Sequence, residues 1–270
     1  MKFSNLYIGT LSGTSADSID AALFEFGKKI NLVGSASKKI PENLKSEITK
    51  LSNTQKNLND YPTKSLIKLD ESFALETANL INKLLTKLNI NKNLVHAIGS
   101  HGQTIQHFPR IDKPYSLQIG NPRIISKVTG IKTVGNFRKA NIEHGGIGAP
   151  LTPAFHKEIF FSKKLNRVII NIGGITNITR LIPGKKIIGW DSGPGNCMID
   201  QCVKEFSSNK MQFDDKGRIA KKGNANALIK EINKVLSMSY FQENLPKSQS
   251  TINFNFNKLA IIDPKPIFPN

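Results

Sequence analysis

The sequence predicts an α/β protein, and three observations carry that expectation. Apolar runs of strand length recur along the chain, at residues 5–10, 19–26, 95–99, 116–119, 133–137 and 168–170. Amphipathic stretches with apolar residues three and four apart stand among them, as helices packing on a sheet require. Several strand patterns also run straight into polar or glycine-rich turns, where α/β sheets hold ligands beyond the carboxyl ends of their strands.

Residues 5–10 and 19–26 flank a small, hydroxyl-rich turn and read as a β-hairpin. The tip offers hydroxyls, backbone N–H groups and the carboxylates of Asp17 and Asp20. That set suits a phosphate and its Mg²⁺, which favours one or two carboxylates together with phosphate oxygens. By itself the tip reads better as a polar turn whose side chains satisfy their own backbone. A short helix is expected at 42–51 behind Pro41, and a long one at 63–88 through Leu66, Leu69, Phe73, Leu80, Leu84 and Leu88. Neither carries visible chemistry.

The strand at 95–99 delivers SHGQT (residues 100–104) at its end. A lone histidine such as His101 is more often structural than catalytic, while Gln103 and Thr104 suit a sugar hydroxyl or a phosphate. After the strand at 116–119, Asn121 and Pro122 read as an N-cap and the first helical residue. The strand at 133–137 ends at Arg138. Residues 141–151, NIEHGGIGAPL, form a glycine-rich loop that reads as either a phosphate cradle or a hinge, and a helix at 153–160 follows.

The chemistry concentrates in residues 167–200. A strand at 168–170 runs into Asn171, Ile172, Gly173 and Gly174, and Asp191 stands just before a second glycine turn at 193–196. Glycines after a strand let backbone N–H groups approach an anion closely. A carboxylate beside such a turn can take a proton next to a bound phosphate. Helices are expected at 196–206 and 225–238, and the tail beyond Tyr240 loses its periodicity. No internal repeat or compositional linker is visible.

Composition removes other classes. A formal charge of +18 invites a nucleic-acid reading. The lysines, however, are scattered as singles and pairs, without interleaved aromatic residues to stack bases, so they read as a solvated surface. Cys197 and Cys202 are five apart, matching neither a redox pair nor a metal knuckle, and two cysteines suit a reducing compartment. With no signal-peptide pattern and no apolar run long enough to span a bilayer, the expected location is cytoplasmic.

Six motifs then carry a family name. GTLSGTSADSID (9–20), SHGQT (100–104), LQIGNP (117–122), GGIGAPL (145–151), NIGG (171–174) and WDSGPGN (190–196) together resemble anhydro-N-acetylmuramic acid kinase, in the family's order and over nearly the whole chain. The resemblance implies an actin/hexokinase-like (ribonuclease H-like) architecture, with a first lobe at 1–150 and a second at 151–270. It implies that ATP and water convert 1,6-anhydro-N-acetylmuramic acid to its 6-phosphate, in recycling of cell-wall sugars. Asp191 matches the family's base. Gly13, Thr14, Ser15, Ala16, Asp17, Ser18, Ile19 and Asp20 match its first phosphate loop, with Asp17 and Asp20 toward Mg²⁺. Asn171, Gly173 and Gly174 match the second. His101, Gln103 and Gln118 are the expected sugar contacts, and a homodimer is implied.

The sequence also departs from the family. Asn136 and Asn141 stand where members carry Asp, and Ile147 where they carry Gln. Each Asp-to-Asn change keeps the shape but removes a charge, so Arg138 is expected to lose partners. Beyond Ser248 the chain leaves the family pattern, so the second lobe is expected to be incomplete and to lack most of the adenosine-binding groups. On that expectation the chain alone is a poor kinase, and the alternative is a non-catalytic muropeptide-sugar-binding remnant.

Overall fold

The computed structural model describes residues 5–54, 58, 63–109, 114–223, 229–245 and 247–248. Its contacts divide the chain into two compact units, Met1–Gly148 and Ala149–Asn270.

The first unit is built on a five-stranded sheet. Strands β1 (Leu6–Ser12), β2 (Ser18–Phe26) and β3 (Ile30–Lys39) form an antiparallel meander. β4 (Val95–Ser100) and β7 (Thr133–Val134) then continue the sheet in parallel, giving the order β3-β2-β1-β4-β7. This mixed sheet with helices packed on it fits the α/β class that the sequence predicts. Burial along β1 alternates strictly, with Leu6, Ile8, Thr10 and Ser12 inward, as the two-residue period of a strand demands.

α1 (Glu42–Ser52) and α2 (Thr63–Lys87) supply the other half of the core. From α2, Leu69, Phe73, Leu80, Ile81, Leu84 and Leu85 are buried against the sheet residues Ile8, Leu23 and Ile98. A second ladder pairs β5 (Gln103–Phe108) with β6 (Tyr115–Ile119). α3 (Pro122–Thr129) begins as expected, with the Asn121 side chain accepting from the Arg123 N–H, and ends on Gly130 in the left-handed region at φ 74°.

One tertiary bond ties helix to ladder: the Gly120 N–H donates to Asp70 Oδ1 at 2.7 Å. Asp70→Ala would leave that buried N–H without its acceptor and is expected to cost about 1–3 kcal/mol, read as a lower urea midpoint at unchanged slope.

The second unit holds an antiparallel meander of β8 (Arg167–Ile172), β9 (Ile175–Leu181) and β10 (Ile188–Pro194), in the order β10-β9-β8. α5 (Thr152–Phe160) packs on β9 and β10. α6 (Cys197–Phe206) follows β10, and α7 (Ile229–Leu236) and α8 (Ser239–Gln242) follow later. The first unit's remaining helix, α4 (Phe137–Glu143), lies just before the unit boundary.

Several sequence expectations are corrected here. β3 is an unexpected strand: its mixed residues, INLVGSASKK, mask a period of two because much of it is exposed. Gln103 and Thr104 lie in strand β5 and not in a loop. The strand expected at 133–137 stops at Val134, and Phe137 opens α4, which also takes in Asn141 from the expected glycine loop. Gly193 and Pro194 belong to β10, so the second glycine turn shrinks to Gly195 and Asn196. Asn171 and Ile172 likewise belong to β8. Of the helix expected at 225–238, residues 225–228 lie outside the described residues, and so does the tail beyond Ser248.

Candidate active site

In the first unit the hairpin tip is held from both sides. The Ala16 N–H donates to the Gly13 carbonyl at 3.0 Å, closing a turn that places Ala16 at φ 51°. Gly13, Thr14, Ser15 and Asp17 are exposed around the buried Ala16 methyl. The Ser12 hydroxyl lies 2.8 Å from the Ser18 carbonyl and 2.6 Å from Gln103 Oε1. Gln103 is fully buried, and its Nε2 donates to the Thr104 carbonyl at 3.0 Å. Its amide is thus engaged at both ends and anchors the tip from behind. Asp17 Oδ1 pairs with Lys45 Nζ at 2.5 Å. Asp20 is exposed on β2, with the Ser18 hydroxyl 3.5 Å from its Oδ2. Ser18 and Ile19 open the same strand, and Ile19 is a core residue.

A turn at His101 and Gly102 joins β4 to β5. Gly102 sits at φ +72°, and a Cβ there would stand 2.2 Å from the Ile119 carbonyl oxygen, so only glycine fits. Arg138 Nε donates to His101 Nε2 at 3.0 Å, which leaves His101 Nδ1 as the protonated nitrogen, donating to the Gly102 carbonyl at 3.2 Å. Burial first, and the Arg138 charge second, lower the His101 pKa to about 4 against a small opposing pull from Gly102. The same two causes lower His107 to about 4. Arg138 is therefore a cation flanked by two neutral imidazoles. It does not go without a partner, as the loss of Asp at 136 and 141 had suggested. Asn136 occupies the left-handed region at φ 59° ahead of α4, and Asn141 Oδ1 accepts from the Gly148 N–H at 2.8 Å, folding the glycine loop onto the helix. Gln118, half-buried on β6, donates to the Ser116 hydroxyl at 2.7 Å.

Sequence reasoning missed His107 and two hydroxyls. Thr10 and Ser100 are register partners at the carboxyl ends of β1 and β4, and both hydroxyls are buried with no hydrogen-bond partner among the described residues. A parallel pair at strand ends could have been found had the β1–β4 pairing been known; the one-dimensional pattern holds no such signal.

In the second unit Gly173 and Gly174 form the two-residue connection between β8 and β9. Both carbonyls accept hydrogen bonds, and the Gly173 N–H donates to the Ile175 carbonyl at 3.3 Å. The Asn196 N–H donates to Gly173 O at 2.8 Å, and the Gly195 N–H to Gly174 O at 2.9 Å. A Cβ on Gly195 would lie 2.1 Å from Gly173 O, so the close approach of these two glycine segments depends on the missing side chain. Asn171 is exposed at the end of β8.

Asp191, on β10, is 7% exposed. The Ser248 hydroxyl donates to its Oδ2 at 2.7 Å. Its N–H donates to the Lys247 carbonyl at 2.9 Å, and its own carbonyl accepts from the Tyr240 hydroxyl. Lys247 Nζ in turn donates to the Tyr240 carbonyl at 2.5 Å and lies 4.4 Å from the Tyr240 ring centre. A buried carboxylate with one oxygen fixed and its backbone held at both ends is pre-oriented for proton transfer. On α6, burial pushes the Cys202 thiol up to about 12 and raises Cys197 as well, so neither is a ready thiolate.

Among the described residues no group of three or more His, Cys, Asp or Glu is poised to hold a metal. The hard oxygens of an exposed Asp20 suit magnesium, which fills most of its sphere with water and phosphate. Asp17 has one carboxylate oxygen, Oδ1, engaged by Lys45.

A family model described as anhydro-N-acetylmuramic acid kinase matches residues 5–262. The anhydro-N-acetylmuramic acid kinase of Shewanella denitrificans is 40% identical over 252 residues, covering 92% of this chain and 66% of its own length. That of Haemophilus influenzae is 34% identical over 249 residues, covering 92% and 63%. That of Coxiella burnetii is 38% identical over 256 residues, covering 94% and 66%. The chain thus spans just under two thirds of the length of these curated relatives.

Proposed function

The chain belongs to the anhydro-N-acetylmuramic acid kinase family, and from that membership we propose that it is an ATP-dependent sugar kinase acting on 1,6-anhydro-N-acetylmuramic acid. In the proposed reaction a water oxygen bonds to the anomeric carbon as the anhydro C–O bond breaks. The departing oxygen takes the γ-phosphoryl group of ATP, leaving ADP and N-acetylmuramic acid 6-phosphate. Asp191 receives the proton of the attacking water. The observation that carries this assignment is its environment: a buried carboxylate with Oδ2 committed to Ser248, on a stretch inside the family match.

The hairpin tip, Gly13 to Asp20, and the turn at Asn171, Gly173 and Gly174 are the proposed phosphate-facing segments. His101 and Gln118 would meet the sugar, with Gln103 holding the tip from behind. Asp20 would hold Mg²⁺, which when bound bridges phosphate oxygens and offsets their charge. In this reading the lobes at 1–150 and 151–270 are the functional halves. The protein works in the cytoplasm, where ATP meets recycled sugars, and as a homodimer. No described helix is long and apolar enough to cross a membrane.

The deciding assay supplies the chain with ATP, Mg²⁺ and the anhydro sugar and follows ADP and sugar phosphate by mass spectrometry. ADP release that requires the sugar, matched by equal sugar 6-phosphate, is the expected result. Sugar binding without any ADP release would overturn it in favour of a non-catalytic binder.

A further inference from the structure

Asp191 lies on an edge strand of its sheet among the described residues, since β10 ends the order β10-β9-β8. The ladder to β9 slips between Asp191 and Gly193, which leaves Ser192 without a register partner. A bulge of this kind re-aims the side chains beside it, so the direction of the Asp191 carboxylate depends on what meets the other edge of the strand. Residues of the 240–248 segment meet it. The Asp191 N–H donates to the Lys247 carbonyl, the Tyr240 hydroxyl donates to the Asp191 carbonyl, and the Ser248 hydroxyl donates to Oδ2. Tyr240 and Lys247 are themselves only 3% and 8% exposed, a depth at which a lysine needs partners for its charge. Tyr240 supplies two: its carbonyl accepts from Lys247 Nζ at 2.5 Å, and its ring centre lies 4.4 Å from Nζ, within cation–π range. The contacts close a circuit from Asp191 to Lys247, on to Tyr240 and back to Asp191, and the circuit engages only the backbone of residue 191.

We infer that Tyr240 and Lys247 are positioning residues for Asp191. The Lys247 ammonium locks Tyr240 by carbonyl and ring, and the Tyr240 hydroxyl together with the Lys247 carbonyl then fixes both backbone groups of residue 191. The carboxylate is thereby held at one angle, with Oδ2 on Ser248. A small error in that angle is costly, because proton transfer requires the acceptor within hydrogen-bond reach and in line. In its catalytic consequence the inference rests on Asp191 being the base, as proposed above; the clamp on its backbone does not.

The test compares the full 270-residue chain with Tyr240→Phe, Lys247→Met and Lys247→Arg. Tyr240→Phe removes one hydroxyl and keeps the buried ring, and Lys247→Arg keeps a cation for the Tyr240 carbonyl and ring. Amide hydrogen exchange at Asp191 should speed by at least about tenfold in Tyr240→Phe and Lys247→Met, and much less in Lys247→Arg, while the β9 amides hold their rates. In the sugar-dependent assay, kcat should fall about ten- to hundredfold in the first two variants at unchanged KM for sugar and ATP, and Lys247→Arg should restore it. In an Asp191→Asn background the same substitutions should lower turnover no further, because they act through the carboxylate. Unchanged exchange at Asp191 overturns the inference. So does faster exchange throughout β9, which would make the pair a part of the core, and so does a loss of turnover that persists undiminished beside Asp191→Asn. If the unsubstituted chain releases no ADP with the sugar, the proposed reaction fails, and exchange at Asp191 alone decides the clamp.

Discussion

Asp191→Asn is expected to lower sugar-dependent ATP turnover by about 10²- to 10⁴-fold, the usual worth of a general base. The substitution is close to isosteric. The Ser248 hydroxyl, 2.7 Å from Oδ2, can donate to the new carbonyl oxygen or accept from the new amide. The backbone bonds to Lys247 and Tyr240 involve no side-chain atom of residue 191 and should persist. Folding and nucleotide binding should therefore survive while the proton acceptor is lost. Steady-state turnover with saturating sugar, run beside isothermal titration with ATP, separates these outcomes. Turnover near the unsubstituted level would mean that another group takes the proton, and a lost ATP signal would mean that Asp191 supports the fold. Ser248→Ala offers a companion measurement: it frees Oδ2 but keeps the charge, so a much smaller effect on turnover is expected.

How far the sequence could be read depended on where each element's neighbours lie. α2 was legible almost to the residue because twenty-five positions repeat one period against one sheet face. The order β3-β2-β1-β4-β7 was not legible strand by strand, since β3 has no apolar alternation of its own. Glycines marked the turns but not the strand ends: Gly193 and Pro194 look like turn residues and yet pair with Thr176 and Ile175 across β10 and β9. The site showed the same division. Asp191 and the glycine segments stood out locally, whereas the roles of Ser248, His107, Thr10 and Ser100 come from partners far away in the chain. The sequence likewise shows no internal repeat, although each unit contains an antiparallel three-strand meander, because backbone pairing and not side-chain identity is what they share.

The two neutral histidines make the first unit sensitive to acid, and the direction follows from their pKa values. Folding lowers both His101 and His107 from the ordinary 6.5 to about 4, through burial and then the Arg138 charge. Above pH 6.5 neither state binds the protons and their full stabilising difference is present. Between 6.5 and 4 the unfolded chain takes up protons that the folded unit refuses, so stability falls as pH falls. Below 4 both states are protonated and the loss stops growing. The expected loss is about 3 kcal/mol per histidine across that window. Carboxylates also begin to titrate near its lower end, so the measurement compares the protein with a His101→Gln, His107→Gln double variant. The first of these substitutions keeps an acceptor, the amide oxygen, for Arg138 Nε, which limits damage to the folded unit. Urea unfolding, followed by hydrogen exchange at the β4 amides of residues 95–100, should show a steep loss between pH 7 and 4.5 in the unsubstituted chain and a much shallower one in the variant. Equal slopes would show that the imidazoles are not held neutral by the fold, and the tautomer assigned to His101 would fall with them.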